Sequence, residues 1–436
     1  QQENDAISLF ELADESFKRK SSNDFTEMNT AIELPCEVIK INKTYENGTF
    51  LLTSKSIVLT LTDKKSYVIE LRNVKSIFPR TRFHHKTAIE IFTIDGLSYF
   101  INFPNFSTSQ VIKSFGNGLK IHPIDFKSSM QHSKMTEKWQ HREISNFQYL
   151  MALNIYSGRS TNDITQYPVF PWILSDYSSE ELDFKDPSIY RDLSKPVGAL
   201  NEARLAELIE KSQHLEEIGL SPYLYSSCYL CPLSVCLYLM RLEPYTTMHI
   251  EIQGGHFDIP ARLFHTIKGT YKLCNTIAND YRELIPEFFT MHEFLVNNDR
   301  FDLGYKDQQR IDDVKLPKWA NHNPLEFIYK HRKALESEYV SQNLNNWIDL
   351  IWGDKQRGEK AKQANNVFMK EMYDDIWDTT PLDDVDLRSN VEAILCHLGQ
   401  IPPMLFDKPH PVIDPLPSKV IPTIQSDFII PVTATI

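Results

Sequence analysis

Cysteine is sparse in this chain of 436 residues: Cys36, Cys228, Cys231, Cys236, Cys274 and Cys396 are the only six, mostly flanked by apolar residues. Such a set excludes a disulfide framework and fits a reducing, cytosolic compartment. Long apolar runs are lacking too, since nothing approaches the ~18–20 residues of a membrane span. Positive charge is in deficit, with 46 Lys and Arg against 58 Asp and Glu, a formal net charge of −12. That balance excludes a general affinity for nucleic acid and leaves only local sites for anionic lipid. The phosphate-cradling GxGxxG and GxxxxGKS/T loops, the GxSxG elbow and the HExxH helix are all missing. No metal, cofactor or catalytic residue is expected.

What is present is ordinary in bulk, 42% hydrophobic and 24% charged, as in a soluble globular protein. The length suggests two or three domains. The chain starts Gln1-Gln2 without a signal-like segment, and so reads as a piece of a longer protein.

Between about Leu34 and Phe103, β-type runs recur at Ile57 to Leu61, Tyr67 to Leu71, Ala88 to Phe92 and Tyr99 to Phe103. Asn47-Gly48 and Asp95-Gly96 read as turns between them. Ser107 and Gln110 make a capping-box pattern, and Val111, Phe115 and Leu119 follow at helical spacing. An antiparallel sheet closed by one helix is predicted. About seven strands and a helix in some 90 residues resemble the pleckstrin-homology superfold.

Residues 121–137 read as a polar linker, and beyond Trp139 helices dominate. Asn201 is positioned to cap a helix with Leu205, Leu208 and Ile209 on one face and Glu207 four residues before Lys211. Asn323-Pro324 is an N-cap and N1 pair, and Leu344, Trp347, Ile348 and Ile351 continue an apolar face. No internal repeat is visible. The first 24 residues and the proline-punctuated tail from Pro415 read as loosely held.

The most informative run is Ile144 to Leu174, which sets Asn146, Asn154, Arg159, Asn162, Asp163 and Gln166 among large apolar residues without helix or strand periodicity. Buried and unpaired, each such group would cost about 1–3 kcal/mol, so they are expected to form a structural polar network. Tyr167, Phe170 and Trp172, with Pro168 and Pro171, pack in the core or line a groove for a peptide.

Apparent enzymatic signals weaken on inspection. Cys228 and Cys231 with Cys236 lack the second pair that zinc needs and read as buried apolar cysteines. Gly254-Gly255 before His256 and Asp258 is too little for a phosphate turn. The glycines of Trp352 to Gly358 follow a helix instead of a strand, so they fit loop closure better than nucleotide binding.

The run Ile144–Leu174 also resembles the opening of the BEACH (beige and Chediak-Higashi) domain. The likeness continues through Arg191–Asn201, Arg241–His265, Leu284–Gly304, His331–Gly358 and Leu398–Pro411, six motifs in the family's order. Where that family generally has a Pro-Phe-His-Tyr-Gly-Thr-His-Tyr-like stretch, Ser221 to Tyr229 lacks both histidines and the glycine. The resemblance implies a divergent pleckstrin-like domain before the BEACH domain, and a core with much irregular backbone supported by side chains.

The expected organisation is α+β: a polar segment 1–24, a pleckstrin-homology-like β-sandwich with a C-terminal helix (25–122), a linker (123–137), a mostly helical BEACH domain (138–412) and an extended tail (413–436). The resemblance implies a non-enzymatic scaffold in vesicle fusion and fission, lysosome or endosome size and protein sorting. Its partners would be proteins of the trafficking machinery, with possible peripheral membrane association. It would be cytoplasmic and peripheral on endosomal, lysosomal or vesicle membranes. The two domains are expected to dock as one body with a groove between them.

A phosphoinositide site of the pleckstrin type needs cations on the first two strands. Cys36 to Ile41 offers Lys40, with Lys43 beyond, and Thr49 to Thr53 offers none. The basic loop Arg80, Arg82, His84, His85 and Lys86 could instead face an acidic partner, a membrane or the BEACH domain. Lipid binding through that loop is the alternative to the scaffold.

Overall fold

The computed structural model describes residues 31–416 apart from 42, 117, 278 and 380–383. Strands β1 (Ile32–Lys40), β2 (Lys43–Leu52), β3 (Ser56–Leu61), β4 (Ser66–Glu70), β5 (Val74–Arg82), β6 (His85–Thr93) and β7 (Ser98–Asn102) form one antiparallel sheet. Its order is β4-β3-β2-β1-β7-β6-β5, two meanders joined where β1 pairs with β7. Alternate residues build one core: Phe50, Leu52, Ile57, Leu59, Ile77, Ile89, Ile91 and Ile101 are fully buried together. The sheet curls around them, and α1 (Thr108–Lys113) closes it with the Ser107–Gln110 capping box in place. The helix stops short of Leu119, since Gly116 sits at φ +64°, where a helix cannot continue.

Asn47-Gly48 is not a turn. Both lie inside β2, opposite Glu37 and Cys36, and a Cβ on Gly48 would fall 2.6 Å from the Thr60 carbonyl oxygen. The glycine serves a close approach of strands, a use that sequence reading confuses with a hairpin. Because β2 reaches back to Lys43, the second strand does contain a lysine, contrary to expectation. Lys40 is already engaged by Glu46 (2.9 Å) and the Tyr67 hydroxyl (3.1 Å).

The stretch expected to be a linker is helical: α2 (Phe126–Ser133) is capped by Asp125, and α3 (Met135–Gln140) follows after a left-handed Lys134. Met130, Met135 and Trp139 tie both helices into the main core. The run from Ile144 holds α4 (Asn146–Tyr156), with its own Ser145–Gln148 capping box. Every residue of α4 except Gln148 is buried, which explains why no amphipathic period betrayed it.

Further helices are α5 (Glu202–Glu217), α6 (Pro232–Tyr238), α7 (Tyr245–Ile252), α8 (Ile267–Thr276), α9 (Pro324–Leu335), α10 (Glu338–Ile351), α11 (Gly358–Gln363), α12 (Ile376–Thr379) and α13 (Val385–Leu398). Asn201 caps α5 and Asn323 caps α9, as their positions predict. A short hairpin, β8 (Tyr305–Lys306) and β9 (Gln309–Arg310), interrupts them. Long irregular segments lie between, notably from Ser157 to Leu200. The expectations for residues 1–24 and for most of the tail lie outside the described residues.

Candidate functional site at the seam between sheet and helices

A sheet packed on one face alternates buried and exposed residues, as β3 does. β5 does not: from Ser76 through Arg82 every residue is buried. Ile77 points into the sheet's own core, whereas its neighbour Phe78 belongs to the core of the helices. Phe78 stacks on His122 (centroids 3.7 Å) and meets Tyr156 edge-on at the end of α4 (5.4 Å).

The next two outward residues of β5 are arginines. The Arg80 Nε donates to Glu90 Oε2 on β6 (2.7 Å), and its Nη1 donates to the Ile155 carbonyl (2.9 Å), one of the C-terminal carbonyls of α4. A cation at a helix C-terminus is favourably placed. The other Glu90 oxygen accepts from Ser160 Oγ (2.6 Å) and Asn162 Nδ2 (3.1 Å), so one carboxylate joins sheet and loop. Asn162 also donates to Ser98 Oγ on β7 (2.7 Å). Arg82 Nη1 donates to Asp163 Oδ2 (2.7 Å), while Gln166 Nε2 donates to the Thr81 carbonyl (2.8 Å) and to Asp163 Oδ2 (2.9 Å). Burial alone would raise the Asp163 carboxyl. Arg82 and the hydrogen bonds from Thr165, Arg82 and Gln166 outweigh it and hold the group below its ordinary value.

At the hairpin tip Phe83 and His84 both take left-handed backbone (φ 47° and 64°), making the turn between β5 and β6. The His84 Nε2–H donates to the Met372 carbonyl (3.0 Å). Burial pushes this imidazole down to about 4, with Asp374 and Met372 pulling upward and Arg357 and His85 downward. His85 stacks on Trp377 (4.3 Å) and meets Glu392 of α13 (3.4 Å), and the Trp377 indole donates to the Phe83 carbonyl (2.7 Å).

The basic residues expected in a loop therefore sit on two paired strands, and of Arg80, Arg82, His84, His85 and Lys86 only Lys86 is exposed. Arg80 and Arg82 are 1% and 5% exposed, which removes them from any lipid surface while the seam is closed. Of the uses open to this cluster, its contacts run to the helical body, and the segment is strand and tight turn, not the expected loop. Its strand character escaped detection because burial on both faces erases period-two alternation.

The polar residues of the run from Ile144 divide between two tasks. Asn162, Asp163 and Gln166 cross the seam, whereas Asn146, Asn154 and Arg159 hold irregular backbone. Asn154 Oδ1 accepts from the Val169 N–H (2.8 Å) and its Nδ2 donates to the Val169 carbonyl (3.0 Å). Arg159 donates to the carbonyls of Tyr167 (2.6 Å) and Gln400 (2.9 Å). Asn146 accepts from the Trp139 indole (2.8 Å) and donates to the Leu335 carbonyl (2.8 Å).

Tyr167, Phe170 and Trp172 line no open groove; they are 2%, 0% and 0% exposed. Phe170 pairs its backbone with Leu284, and the Trp172 indole donates to the Arg282 carbonyl (2.9 Å). Their aromatic bulk is spent on the core. A centre missed from sequence lies beside them. Glu283 accepts from the Trp172 N–H (3.0 Å), Arg191 Nη1 (2.6 Å) and the Trp347 indole (3.0 Å), tying three of the motifs to one carboxylate.

Among the described residues no group of three or more His, Cys, Asp or Glu could hold a metal ion, and no helix is long and apolar enough to cross a membrane. Cys228 lies buried with its Sγ on the Gln400 carbonyl (3.3 Å), and burial pushes its thiol up to about 11.

This is an α+β assembly in which a curled antiparallel sheet is clamped to a helical body by a buried ion pair and buried hydrogen bonds, with polar side chains bracing the irregular backbone. A family model for the Beige/BEACH domain matches residues 137–413. The chain belongs to the BEACH-domain family. It is similar to BEACH domain-containing protein lvsD of Dictyostelium discoideum, 39% identical over 425 residues, a match covering 88% of this chain and 14% of the relative. It is also similar to BEACH domain-containing protein B of Arabidopsis thaliana, 45% identical over 290 residues (66% of this chain, 11% of the relative). WD repeat- and FYVE domain-containing protein 4 of Homo sapiens is 40% identical over 355 residues (77% and 11%). The chain thus spans only a small part of the length of these relatives.

Proposed function

We propose that this chain is a non-enzymatic scaffold module of a membrane-trafficking protein, made of a pleckstrin-homology-like domain docked on a BEACH domain. It presents protein-binding surfaces fixed relative to one another and serves vesicle fusion and fission, lysosome or endosome size and protein sorting. It works in the cytoplasm, peripherally on endosomal, lysosomal or vesicle membranes. The supporting observation is the sealed seam. Two arginine–carboxylate pairs, Arg80–Glu90 and Arg82–Asp163, and the His84 ring on the Met372 carbonyl are buried there, a costly arrangement that fixes geometry more than it adds stability. The carboxylates Glu90 and Asp163 of the seam, and Glu283 in the helical body, are each held by several donors, which favours holding a shape over proton transfer.

The test compares the immobilised chain with its Arg82→Ala variant for retention of purified trafficking proteins. Partners that need both units at once are expected to bind the parent and to be lost from a variant whose two units each remain folded by hydrogen exchange. Equal retention by both would contradict the reading.

A further inference from the structure

One surface of the helical body is used by neither the seam nor the core. Hairpin β8–β9 projects Tyr305, 66% exposed, and Ile259, 54% exposed, stands beside it, because the turn Pro260–Arg262 packs under β8. The contact is close: a Cβ on Gly304 would lie 2.7 Å from Pro260 Cγ.

Cations ring these two apolar tips. Lys306 Nζ donates to His265 Nε2 (2.9 Å), and the His265 Nδ1–H is turned to the Leu263 carbonyl (2.8 Å). Lys315, on the segment bridged to Thr266, donates to Gln309 Oε1 of β9 (2.6 Å), and Arg310 pairs with Tyr305 across the hairpin. Lys268 and Lys272 follow one turn apart on the exposed side of α8. Like charges at that spacing repel.

Among the described residues none of these five cations forms an ion pair. The carboxylates of the neighbourhood keep their charge, though most are held by local donors, and Asp176 is close enough to be influenced by Lys268. Asp312 and Asp313 accept from Asn297 (2.8 and 2.7 Å), Asp302 accepts from the Gly304 N–H (3.2 Å), and Asp258 meets Arg262 (3.7 Å). Asp307 at the hairpin tip remains. Burial lowers the His265 ring, the hydrogen bond to the Leu263 carbonyl opposes this, and Lys306, Lys315 and Arg241 lower it further.

We propose that this hairpin face docks on an anionic phospholipid surface. Exposed Tyr and Ile among lysines match the depth profile of a membrane interface, where aromatic rings sit at headgroup level and lysine stems extend into water. Four of the five cations are Lys, which protein interfaces disfavour and diffuse phosphate surfaces accept. In a chain of net charge −12 such contact must be confined to a local patch. The proposal is independent of the scaffold reading and places membrane contact on the helical body, away from the Arg80 to Lys86 strands.

The test is sedimentation of the whole chain at low salt with phosphatidylcholine vesicles, with and without phosphatidylserine. The parent is expected to bind only when phosphatidylserine is present. Joint replacement K306E, R310E and K315E is expected to lower partitioning at least about tenfold, and K268E with K272E, on a separate element, to lower it as well. The same charge change at Lys55 and Lys64, in turns of the sheet, and at Lys113 of α1 should leave binding intact. Absence of parent binding, an undiminished hairpin variant, equal loss in the sheet variant, or binding to polyglutamate but not to vesicles would each overturn the proposal.

Discussion

Arg82 of β5 reaches out of the sheet to Asp163 of the helical body, Nη1 to Oδ2 at 2.7 Å, with both side chains almost wholly buried. The pair spans 81 residues of sequence and has a twin in Arg80, which bonds Glu90 in its own sheet and the Ile155 carbonyl across the seam.

Removing one partner from such a pair leaves a buried charge without compensation. Arg82→Ala is expected to destabilise the chain by about 3–5 kcal/mol, while replacing both Arg82 and Asp163 with leucine costs less. Urea unfolding of the two variants checks this ordering.

The seam is expected to weaken in acid in two steps. His84, pushed by burial from its ordinary 6.5 to about 4, stays neutral when folded but takes a proton when unfolded. Its contribution is complete above about pH 6.5 and is lost as pH falls towards 4. His331 and His410, also pushed to about 4 by burial, act in the same window. Asp163 adds a second loss. Its depressed carboxyl stabilises above its ordinary 3.8, and that contribution disappears as pH falls through its lower folded value. Urea midpoints measured down the pH scale should fall through both windows, with a shallower first step in His84→Gln.

Asn154 satisfies both backbone groups of Val169 in a segment with no regular partner. Asn154→Ala is expected to cost about 1–3 kcal/mol for each group left unpaired, more than an exposed asparagine would. Thermal unfolding of this variant beside Asn390→Ala, on the solvent side of α13, separates the two cases.

Gly198 admits no side chain, since a Cβ would lie 2.1 Å from the Tyr225 ring. Gly198→Ala is expected to destabilise by about 1–3 kcal/mol through overpacking, and Tyr225→Phe on that background should give no relief because the ring itself remains. Calorimetric melting of the single and double variants tests both statements.

Much of this was legible in the residues. The caps at Ser107, Asn201 and Asn323 stand where their spacing puts them, because a cap is a local event. Four strands read from alternation lie within a residue or three of their observed bounds. Failures share a cause. β5 and α4 are enclosed on every side, so neither shows the periodicity that a half-buried element must have. Arg80 and Arg82 stayed open to an acidic partner, a membrane or the BEACH domain because sequence does not reveal that Glu90 and Asp163 wait to pair with them. Glu283 gave no signal, since its donors come from positions 172, 191 and 347 and meet only in the fold.

The most direct test of a clamped sheet and helical body is native-state hydrogen exchange, read by mass spectrometry for β5–β6 and for the segment from Ser157 to Gln166. The two are expected to open together, with the same denaturant dependence, in the parent chain, and to open earlier but still jointly in Arg82→Ala. Exchange of β5–β6 in a separate, lower-energy opening, with the Ser157–Gln166 segment still protected, would contradict a sealed seam.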